Sequence, residues 1–339
     1  MTVDSIYKEM QKKLLNVVPA LELRYKAELV YEILKLKEEK NAVILGHNYM
    51  EAALYHFIPD FKGDSLELAR KAAETDKDII VFCGVEFMAE TAKILSPHKT
   101  VLLPAEKAGC SLAESITAED VRELKKRFPG VPVVTYVNTY AEVKAETDIC
   151  CTSGNAVRVV QSLDADRVIF LPDEYLARNV ALETGKKIIF PKKGEPPMED
   201  YDMVGWQGRC EVHEKFSRED VLNVKKQFPE TIVLAHPECS PEVTQAADFS
   251  GSTSAMIKYV EKSEAPHYLL LTECAMGDNI AAAHPEKEML RLCSVRCPHM
   301  NQITLEDTLL ALQKTQYVIE VPEDIRLRAA KAVQRMIEI

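Results

Sequence analysis

The chain has 339 residues, of which 47% are hydrophobic and 28% are charged, with only 12 glycines and 17 prolines. This composition supplies buried cores and excludes a disordered or fibrous protein, and the length predicts two or three domains. The formal net charge is −11 at pH 7, and the sequence has no basic block. Binding to nucleic acid or to an anionic membrane is therefore not expected.

The sequence lacks the usual signals for export or membrane insertion. Residues 1–9 carry acidic side chains and no apolar core, and no stretch approaches the ~18 apolar residues of a membrane span. Nine cysteines are an odd number, which suits metal binding, catalysis or burial better than a disulfide framework. We therefore expect a cytoplasmic protein.

An internal threefold repeat gives the strongest indication of architecture. Each copy predicts a helix followed by a buried strand, and the first copy is the faintest. Thr117 and Ser217 stand three residues before Asp120 and Asp220, as helix N-caps and their acidic partners do. The predicted helices are 26–40, 119–128 and 219–228, and the predicted strands are 42–47, 131–138 and 231–238.

The second half of each copy repeats as well. A polar stretch opens another helix, a second strand follows, and a glutamate stands 21 positions after the serine of the polar stretch. These serine and glutamate pairs are Ser65 and Glu86, Ser153 and Glu174, and Ser252 and Glu273. Each copy then ends on a cysteine, and these cysteines are Cys110, Cys210 and Cys297.

Strands that alternate with helices form parallel sheets covered by helices, and such sheets bind ligands at the carboxyl ends of their strands. We therefore expect an α/β protein of three similar αβ domains, each a short parallel sheet between helices, around a pseudo-threefold axis. The active site should lie where the three sets of strand ends meet. The predicted domains are residues 1–111 with 298–339, residues 112–210, and residues 211–297.

The three closing cysteines are the sharpest candidates for chemistry, because repeat equivalence supplies the spatial argument that their separation in sequence does not. Three thiolates and one open position suit a 4Fe-4S cluster with an open iron, or a zinc site completed by His213, three residues after Cys210. Three cysteines buried in the core are the alternative that needs no metal. The other six cysteines do not occupy equivalent positions.

The helix starts near Ser65, Ser153 and Ser252 offer hydroxyls and free backbone N–H groups to carboxylates or phosphate. Singly, each would be an ordinary N-cap. Because they recur at equivalent strand ends, they indicate a ligand with several anionic groups.

Polar side chains also stand at the ends of the first strands. They are His47 and Tyr49, Tyr136 and Asn138, and His236 and Glu238. Side chains at this edge face the ligand crevice, so His, Tyr and Glu here are candidate general acids and bases; satisfied structural residues are the alternative. For the three repeated glutamates a structural role is favoured. A position that is identical in all three copies serves the fold more often than it serves a reaction, because a reaction is asymmetric.

These stretches resemble the quinolinate synthase family of NAD biosynthesis, over residues 34–310. The resemblance rests on the following motifs: Gly46-His-Asn-Tyr49, Gly63-Asp-Ser65, Ala108-Gly-Cys-Ser-Leu-Ala113, Tyr136-Val-Asn138, Cys151-Thr-Ser-Gly-Asn-Ala156, Cys210-x-Val-His213, His236-Pro-Glu-Cys239, Gly251-Ser-Thr253 and Cys297-Pro-x-Met300. It implies three αβ domains that hold a 4Fe-4S cluster through one cysteine each, at positions corresponding to Cys110, Cys210 and Cys297.

The resemblance further implies condensation of iminoaspartate with dihydroxyacetone phosphate to quinolinate, with release of phosphate and two waters. A transient contact with the enzyme that produces iminoaspartate would accompany it. The implied substrate-binding residues are His47, Ser65, Tyr136, Asn138, Ser153, His236, Glu238, Ser252 and Thr253. The implied residues for proton transfer are His47, Tyr49, Tyr136, His213 and Glu238.

One feature departs from the family. Some members carry a Cys-x-x-Cys-x-x-Cys run at the third ligand, which is thought to form a redox disulfide, whereas Cys293 and Cys297 are four residues apart here. Two other functions are left open by the residues. The first is a different iron–sulfur hydro-lyase, which product analysis would distinguish from a quinolinate synthase. The second is a zinc or iron–sulfur sensor or scaffold without turnover, which would hold a fully ligated metal.

Overall fold

The structure is a computed structural model that describes residues 1–192, 199–290 and 295–339. Its described strands form three separate sheets, each built from parallel strand pairs. The first sheet contains β1 (Ala42–His47), β2 (Phe61–Gly63), β3 (Ile79–Cys83) and β4 (Thr100–Leu102) in the order β2-β1-β3-β4. The second contains β5 (Val133–Tyr136), β6 (Ile149–Cys151), β7 (Val168–Leu171), β8 (Ile188–Ile189) and β9 (Met203–Gly205) in the order β6-β5-β7-β9-β8. The third contains β10 (Thr231–Ala235), β11 (Phe249–Ser250), β12 (His267–Leu271) and β13 (Glu288–Met289) in the order β11-β10-β12-β13.

Helices connect and cover the sheets. In the first half of the chain they are α1 (Val3–Leu14), α2 (Ala20–Glu39), α3 (Ala52–Phe57), α4 (Ser65–Glu74), α5 (Glu86–Leu95), α6 (Ala118–Arg127), α7 (Ala141–Lys144) and α8 (Ala156–Ser162). In the second half they are α9 (Glu174–Thr184), α10 (Arg218–Gln227), α11 (Pro241–Ala246), α12 (Thr253–Lys262), α13 (Cys274–Ala283), α14 (Leu305–Lys314) and α15 (Glu323–Glu338). The expected α/β fold with three similar units is confirmed.

The last two helices return to the beginning of the chain. Helix α14 packs on α2 and β3, and α15 packs on α5 of the first repeat and on α7 and β6 of the second. The helix after the third cysteine therefore covers the first sheet. The domain boundaries 1–111 with 298–339, 112–210 and 211–297 stay a prediction.

One repeated contact fixes the equivalence of the three copies. An aspartate carboxylate accepts the backbone N–H of the first strand in every sheet, over 2.8 Å, 2.7 Å and 2.8 Å. The pairs are Asp60 with Ile44, Asp148 with Val133, and Asp248 with Val233. The repeat predicted for the first strands is thereby confirmed.

The predicted equivalence of the glutamates is wrong by one residue in the third copy. Val81, Ile169 and Leu269 occupy matching positions, because they pair with Ile44, Val133 and Val233. Counted from these residues, Glu86 and Glu174 match Cys274. Glu273 lies one position earlier, where its carboxylate caps α13, as Asp173 caps α9.

The predicted helix starts are confirmed, and the structure shows which residue caps each helix. Thr117 and Ser217 are N-caps of α6 and α10, each with its aspartate in a capping box. Ser252 is the N-cap of α12. Ser65 and Ser153 are not caps, since Asp64 and Asn155 take those positions.

Within the described ranges, none of the helices has the length and apolar content that a bilayer crossing requires.

Candidate active site

A single pocket lies where the carboxyl ends of the three sheets meet. Of the 14 residues that the sequence singled out for the site, all but Ser252 line it, with members from every repeat. The predicted residues that line it, together with others, are His47, Tyr49, Ser65, Cys110, Tyr136, Asn138, Ser153, Cys210, His213, His236, Glu238, Thr253 and Cys297.

The strand ends contribute two equivalent positions to this pocket. The first position follows from the strand register and holds His47, Tyr136 and His236, and the second, two residues later, holds Tyr49, Asn138 and Glu238. Tyr49, Asn138 and Glu238 lie just beyond the last residues of β1, β5 and β10, and all three also line the pocket. Repeat symmetry therefore places six polar side chains around one space.

The cysteines are presented by three matching loops. Each cysteine carbonyl accepts the backbone N–H four residues later at 3.0 Å, from Glu114, Glu214 and Asn301. A short 3₁₀ turn follows in every loop, at Ala113–Ser115, His213–Lys215 and Met300–Gln302. The carbonyl two residues before each cysteine is bound in turn by a backbone N–H at the start of α5, α9 or α13. The loops are therefore held from both sides by the same backbone pattern.

The sulfur atoms lie in a setting suited to thiolates bound to metal. Backbone N–H groups two and three residues later bond to Cys110, Cys210 and Cys297, and these bonds lower the thiol pKa. Burial has the larger effect: it raises the pKa of Cys110 to about 12 and of Cys297 to about 11, and lifts that of Cys210 well above its usual range. These pKa values favour the protonated thiols in the absence of a metal, and the same N–H groups would stabilise thiolates if a metal bound there.

His213 adds a second arrangement of possible metal ligands. Its Nδ1 lies 3.2 Å from Cys210 Sγ and 2.6 Å from Glu238 Oε2. One ligand atom from each of these three residues falls within 4.8 Å of the others. A single ion on Cys210, His213 and Glu238 is therefore a geometric alternative to a group shared by the three cysteines.

A continuous chain of polar contacts joins the two tyrosines of the pocket, Tyr49 and Tyr136. Tyr49 Oη lies 2.5 Å from Thr272 Oγ1, which lies 2.9 Å from His213 Nε2. His213 Nδ1 contacts Glu238, whose Oε1 accepts the Tyr136 hydroxyl at 2.5 Å. Sequence reasoning missed Thr272, although its position directly after β12 marks a strand end.

The two strand-end histidines are neutral donors. The backbone N–H of Tyr49 donates to His47 Nδ1 at 3.2 Å, and that of Glu238 donates to His236 Nδ1 at 3.3 Å. Burial lowers the pKa of His47 to about 4 and that of His236 to about 3. With Nδ1 occupied as an acceptor, each neutral ring carries its proton on Nε2 and offers it as a donor. His236 Nε2 lies 3.2 Å from the Ser153 hydroxyl.

Glu238 is the charged centre of the pocket. Burial alone would raise its pKa, but attraction to His213 and hydrogen bonds from His213 and Tyr136 hold the pKa below its usual range. Burial, followed by repulsion from Glu238, raises the pKa of Tyr49 and of Tyr136 well above the usual value, so both remain phenols. Asn138 Nδ2 also donates to Glu238 at 3.2 Å, while Asn138 Oδ1 has no hydrogen-bond partner in the described part of the chain.

The first and third repeats close one side of the pocket. The Ser252 hydroxyl donates to Asp64 Oδ2 at 2.9 Å, and Asn48 Nδ2 donates to Thr253 Oγ1 at 2.9 Å. Ser252 therefore binds the cap residue of α4 and is set back from the pocket that Thr253 lines. Asp64 and Asn48 were not among the predicted site residues, because their partners belong to another repeat.

Neutral groups dominate the donors of the pocket. Among the residues described, no lysine or arginine lines it. An anionic ligand would be held by imidazole N–H groups, hydroxyls and the backbone at helix starts.

Comparison with known proteins identifies the family. Residues 31–338 match the family described as "Quinolinate synthetase A protein". Quinolinate synthase 2 of Mesorhizobium japonicum is 52% identical over 324 residues, covering 96% of this chain and 95% of that protein. Quinolinate synthase of Agrobacterium fabrum is 51% identical over 324 residues, covering 96% and 89%, and that of Xylella fastidiosa is 52% identical over 307 residues, covering 91% and 86%. The chain therefore belongs to the quinolinate synthase family of NAD-biosynthesis enzymes.

Proposed function

We propose that this chain condenses iminoaspartate with dihydroxyacetone phosphate to quinolinate, releasing phosphate and two waters, with a 4Fe-4S cluster on Cys110, Cys210 and Cys297. The observation that carries the proposal is the meeting of three equivalent cysteine loops and six strand-end side chains at one pocket. In a chain of this family, such a pocket suits a reaction that needs both a metal and proton transfers.

The cysteines hold the cofactor in this proposal. Cys110, Cys210 and Cys297 would hold the cluster as thiolates, one iron would be left without a protein ligand, and the backbone N–H groups on each sulfur would stabilise the ligated form. When bound, the cluster supplies a Lewis acid that stabilises negative charge on a substrate or on a departing hydroxyl. A reducing cytoplasm suits a site that needs three free thiols.

The substrates carry carboxylates and a phosphate, and neutral donors bind them. His47 and His236 offer Nε2 protons, and Ser153 and Thr253 offer hydroxyls at the same pocket. Asn138 Oδ1, which is buried and unpartnered in the described chain, accepts a hydrogen bond from an imine N–H or a substrate hydroxyl. Ser65, at the first turn of α4, adds a further hydroxyl.

The acid–base residues act at the two ends of the hydrogen-bond chain. Glu238, held as a carboxylate, takes a proton from the substrate carbon, and Tyr136 stabilises that carboxylate through its 2.5 Å hydrogen bond. Tyr49 delivers a proton to a departing hydroxyl and recovers it through Thr272 and His213. Because imines hydrolyse in water, we also propose a transient contact with the enzyme that supplies iminoaspartate.

Anaerobic reconstitution with iron and sulfide tests the proposal. The protein should take up four irons and four sulfides, and with both substrates it should release quinolinate and phosphate in equal amounts. Metal-free protein and Cys297→Ala protein should release neither. If the protein instead binds zinc and no iron, through Cys210, His213 and Glu238, the proposed cluster is wrong. Hydration or dehydration of another acid without quinolinate formation would assign a different hydro-lyase.

A further inference from the structure

One glutamate oxygen joins all three cysteine loops. The Ser111 hydroxyl, next to Cys110, donates to Glu211 Oε1 at 2.9 Å. His299, two residues after Cys297, places Nε2 3.2 Å from the same oxygen. Glu211 itself directly follows Cys210. We propose that Glu211 is a positioning residue whose carboxylate, with Ser111 and His299, forms a clasp that holds the three cysteines in register for one shared metal group.

The chemistry of the partners matches this role. Ser111 contributes an O–H donor, and His299 Nε2 lies within ion-pair distance of the same oxygen, while His299 Nδ1 has no hydrogen-bond partner in the described chain. A proton on Nε2 makes His299 the second donor to Glu211. Both contacts end on the same oxygen, Glu211 Oε1. The clasp thus needs one acceptor oxygen and two donors from the other repeats.

The three cysteines lie far apart in the sequence, so contacts between the loops are needed to hold them in register. The cysteines belong to different repeats, at positions 110, 210 and 297. Other contacts hold single loops: the backbone N–H of Cys110 donates to the Tyr140 hydroxyl, and that of Cys297 to the Glu273 carboxylate. Glu211 reaches across from the second loop to both of the others.

The clasp lies on the solvent side of the cysteine loops, where it would limit the access of reagents to the three thiols. The side chain of Glu211 is 34% exposed and that of His299 is 22% exposed. Cys110, Cys210 and Cys297 are themselves only partly buried. Loss of the clasp would therefore loosen the loops on the side from which a thiol reagent or a metal chelator approaches.

The test compares Glu211→Ala with two matched variants. Glu211→Gln keeps an amide oxygen that accepts both hydrogen bonds, whereas Glu211→Ala removes it. Glu214→Ala removes an equally negative, exposed side chain from the turn that follows Cys210. In metal-free protein, the rates of alkylation of Cys110 and Cys297 by iodoacetamide are measured by peptide mass spectrometry. We expect rates several-fold above wild type in Glu211→Ala, and wild-type rates in the other two variants.

A second measurement addresses the metal and rests on the proposed function. Reconstituted Glu211→Ala protein should release iron to a chelator several-fold faster than wild type, with an unchanged circular dichroism spectrum. Wild-type alkylation rates in Glu211→Ala, or rates in Glu211→Gln as high as in Glu211→Ala, overturn the clasp. If Glu211→Ala does not fold, Ser111→Ala, which loses one of the two bonds, takes its place and should show an intermediate rate. If wild-type protein binds no cluster, the proposed function fails while alkylation still decides the clasp.

Discussion

The Tyr136 hydroxyl donates a hydrogen bond of 2.5 Å to Glu238 Oε1 and so joins strand ends of the second and third repeats. The carboxylate faces the pocket, and no lysine or arginine among the described pocket residues balances its charge. Glu238→Gln should therefore lower kcat by roughly 10²–10⁴-fold while the cluster spectrum persists, because the amide has no comparable basicity. Steady-state kinetics and the visible absorption spectrum check this result.

A surface substitution provides the control for that variant. Glu242 is an exposed acid at the first turn of α11, and Glu242→Gln should leave kcat at the wild-type value. Near-normal turnover in Glu238→Gln would assign proton abstraction to another residue.

A separate prediction concerns the hydrogen bonds that run from Tyr49 through Thr272 to His213. Thr272→Val preserves shape but removes the hydroxyl that lies 2.5 Å from Tyr49 Oη and 2.9 Å from His213 Nε2. We expect kcat to fall by at least tenfold, with a smaller change in KM, because the hydroxyl positions the tyrosine and returns its proton. Tyr49→Phe should lower kcat by at least as much.

Thr231→Val is the matched control for Thr272→Val. Thr231 is a buried threonine at the start of β10 whose hydroxyl has no hydrogen-bond partner within the described ranges. Its loss should leave turnover unchanged. Equal kinetics for the two valine variants would remove Thr272 from the proton path.

The sequence predicted the strand ends and the cysteines because repeat equivalence places them without knowledge of tertiary contacts. His47, Tyr136 and His236 follow from strand register alone, and parallel sheets put such positions at one edge. Tyr49 and Glu238 stand two residues after His47 and His236, beyond the ends of β1 and β10, and follow from the same repeat equivalence.

Residues that act between repeats were not predictable in this way. Thr272, Asp64 and Glu211 each have their decisive partner in another copy, and internal similarity gives no information about how copies are packed together. The serines of the polar stretches were predicted to bind an anionic ligand rather than to act only as caps, and the sequence did not show which residue caps each helix: Asp64 and Asn155 take the cap positions of α4 and α8, whereas Ser252 caps α12. Cys293 lies outside the described residues.

Ser153 provides a prediction about substrate binding. Its hydroxyl lies 3.2 Å from His236 Nε2 at the pocket wall and does not cap α8. Ser153→Ala should raise KM several-fold, corresponding to about 1 kcal/mol for one hydrogen bond, without a change in melting temperature. Ser217→Ala provides the contrast: it removes an N-cap outside the pocket, so it should lower the melting temperature and leave KM unchanged. A lower melting temperature with normal KM in Ser153→Ala would make Ser153 structural.

His56 makes the stability depend on pH. Burial, followed by repulsion from Lys13 and Lys62, lowers its pKa from 6.5 to about 3. Below pH 6.5 the His56 side chain becomes protonated in the unfolded chain but stays neutral in the folded chain. The contribution of His56 to the free energy of unfolding therefore falls as the pH falls from 6.5 towards 3. Between pH 7 and 5.5, wild type should lose about 1 kcal/mol more unfolding free energy than His56→Gln. Parallel loss in both proteins, measured by urea denaturation, would contradict this assignment.

The cysteine assignment has the most direct test. Cys110→Ala, Cys210→Ala or Cys297→Ala removes one of three protein ligands, and a cluster held by two thiolates should be lost together with activity. Cys150 is fully buried in β6 and does not line the pocket, so Cys150→Ala should keep its iron and lose only about 1–2 kcal/mol of stability from packing. Iron and sulfide analysis after anaerobic reconstitution decides between these outcomes. Full iron content in any of the first three variants, or complete loss in Cys150→Ala, would show that a different set of cysteines binds the metal.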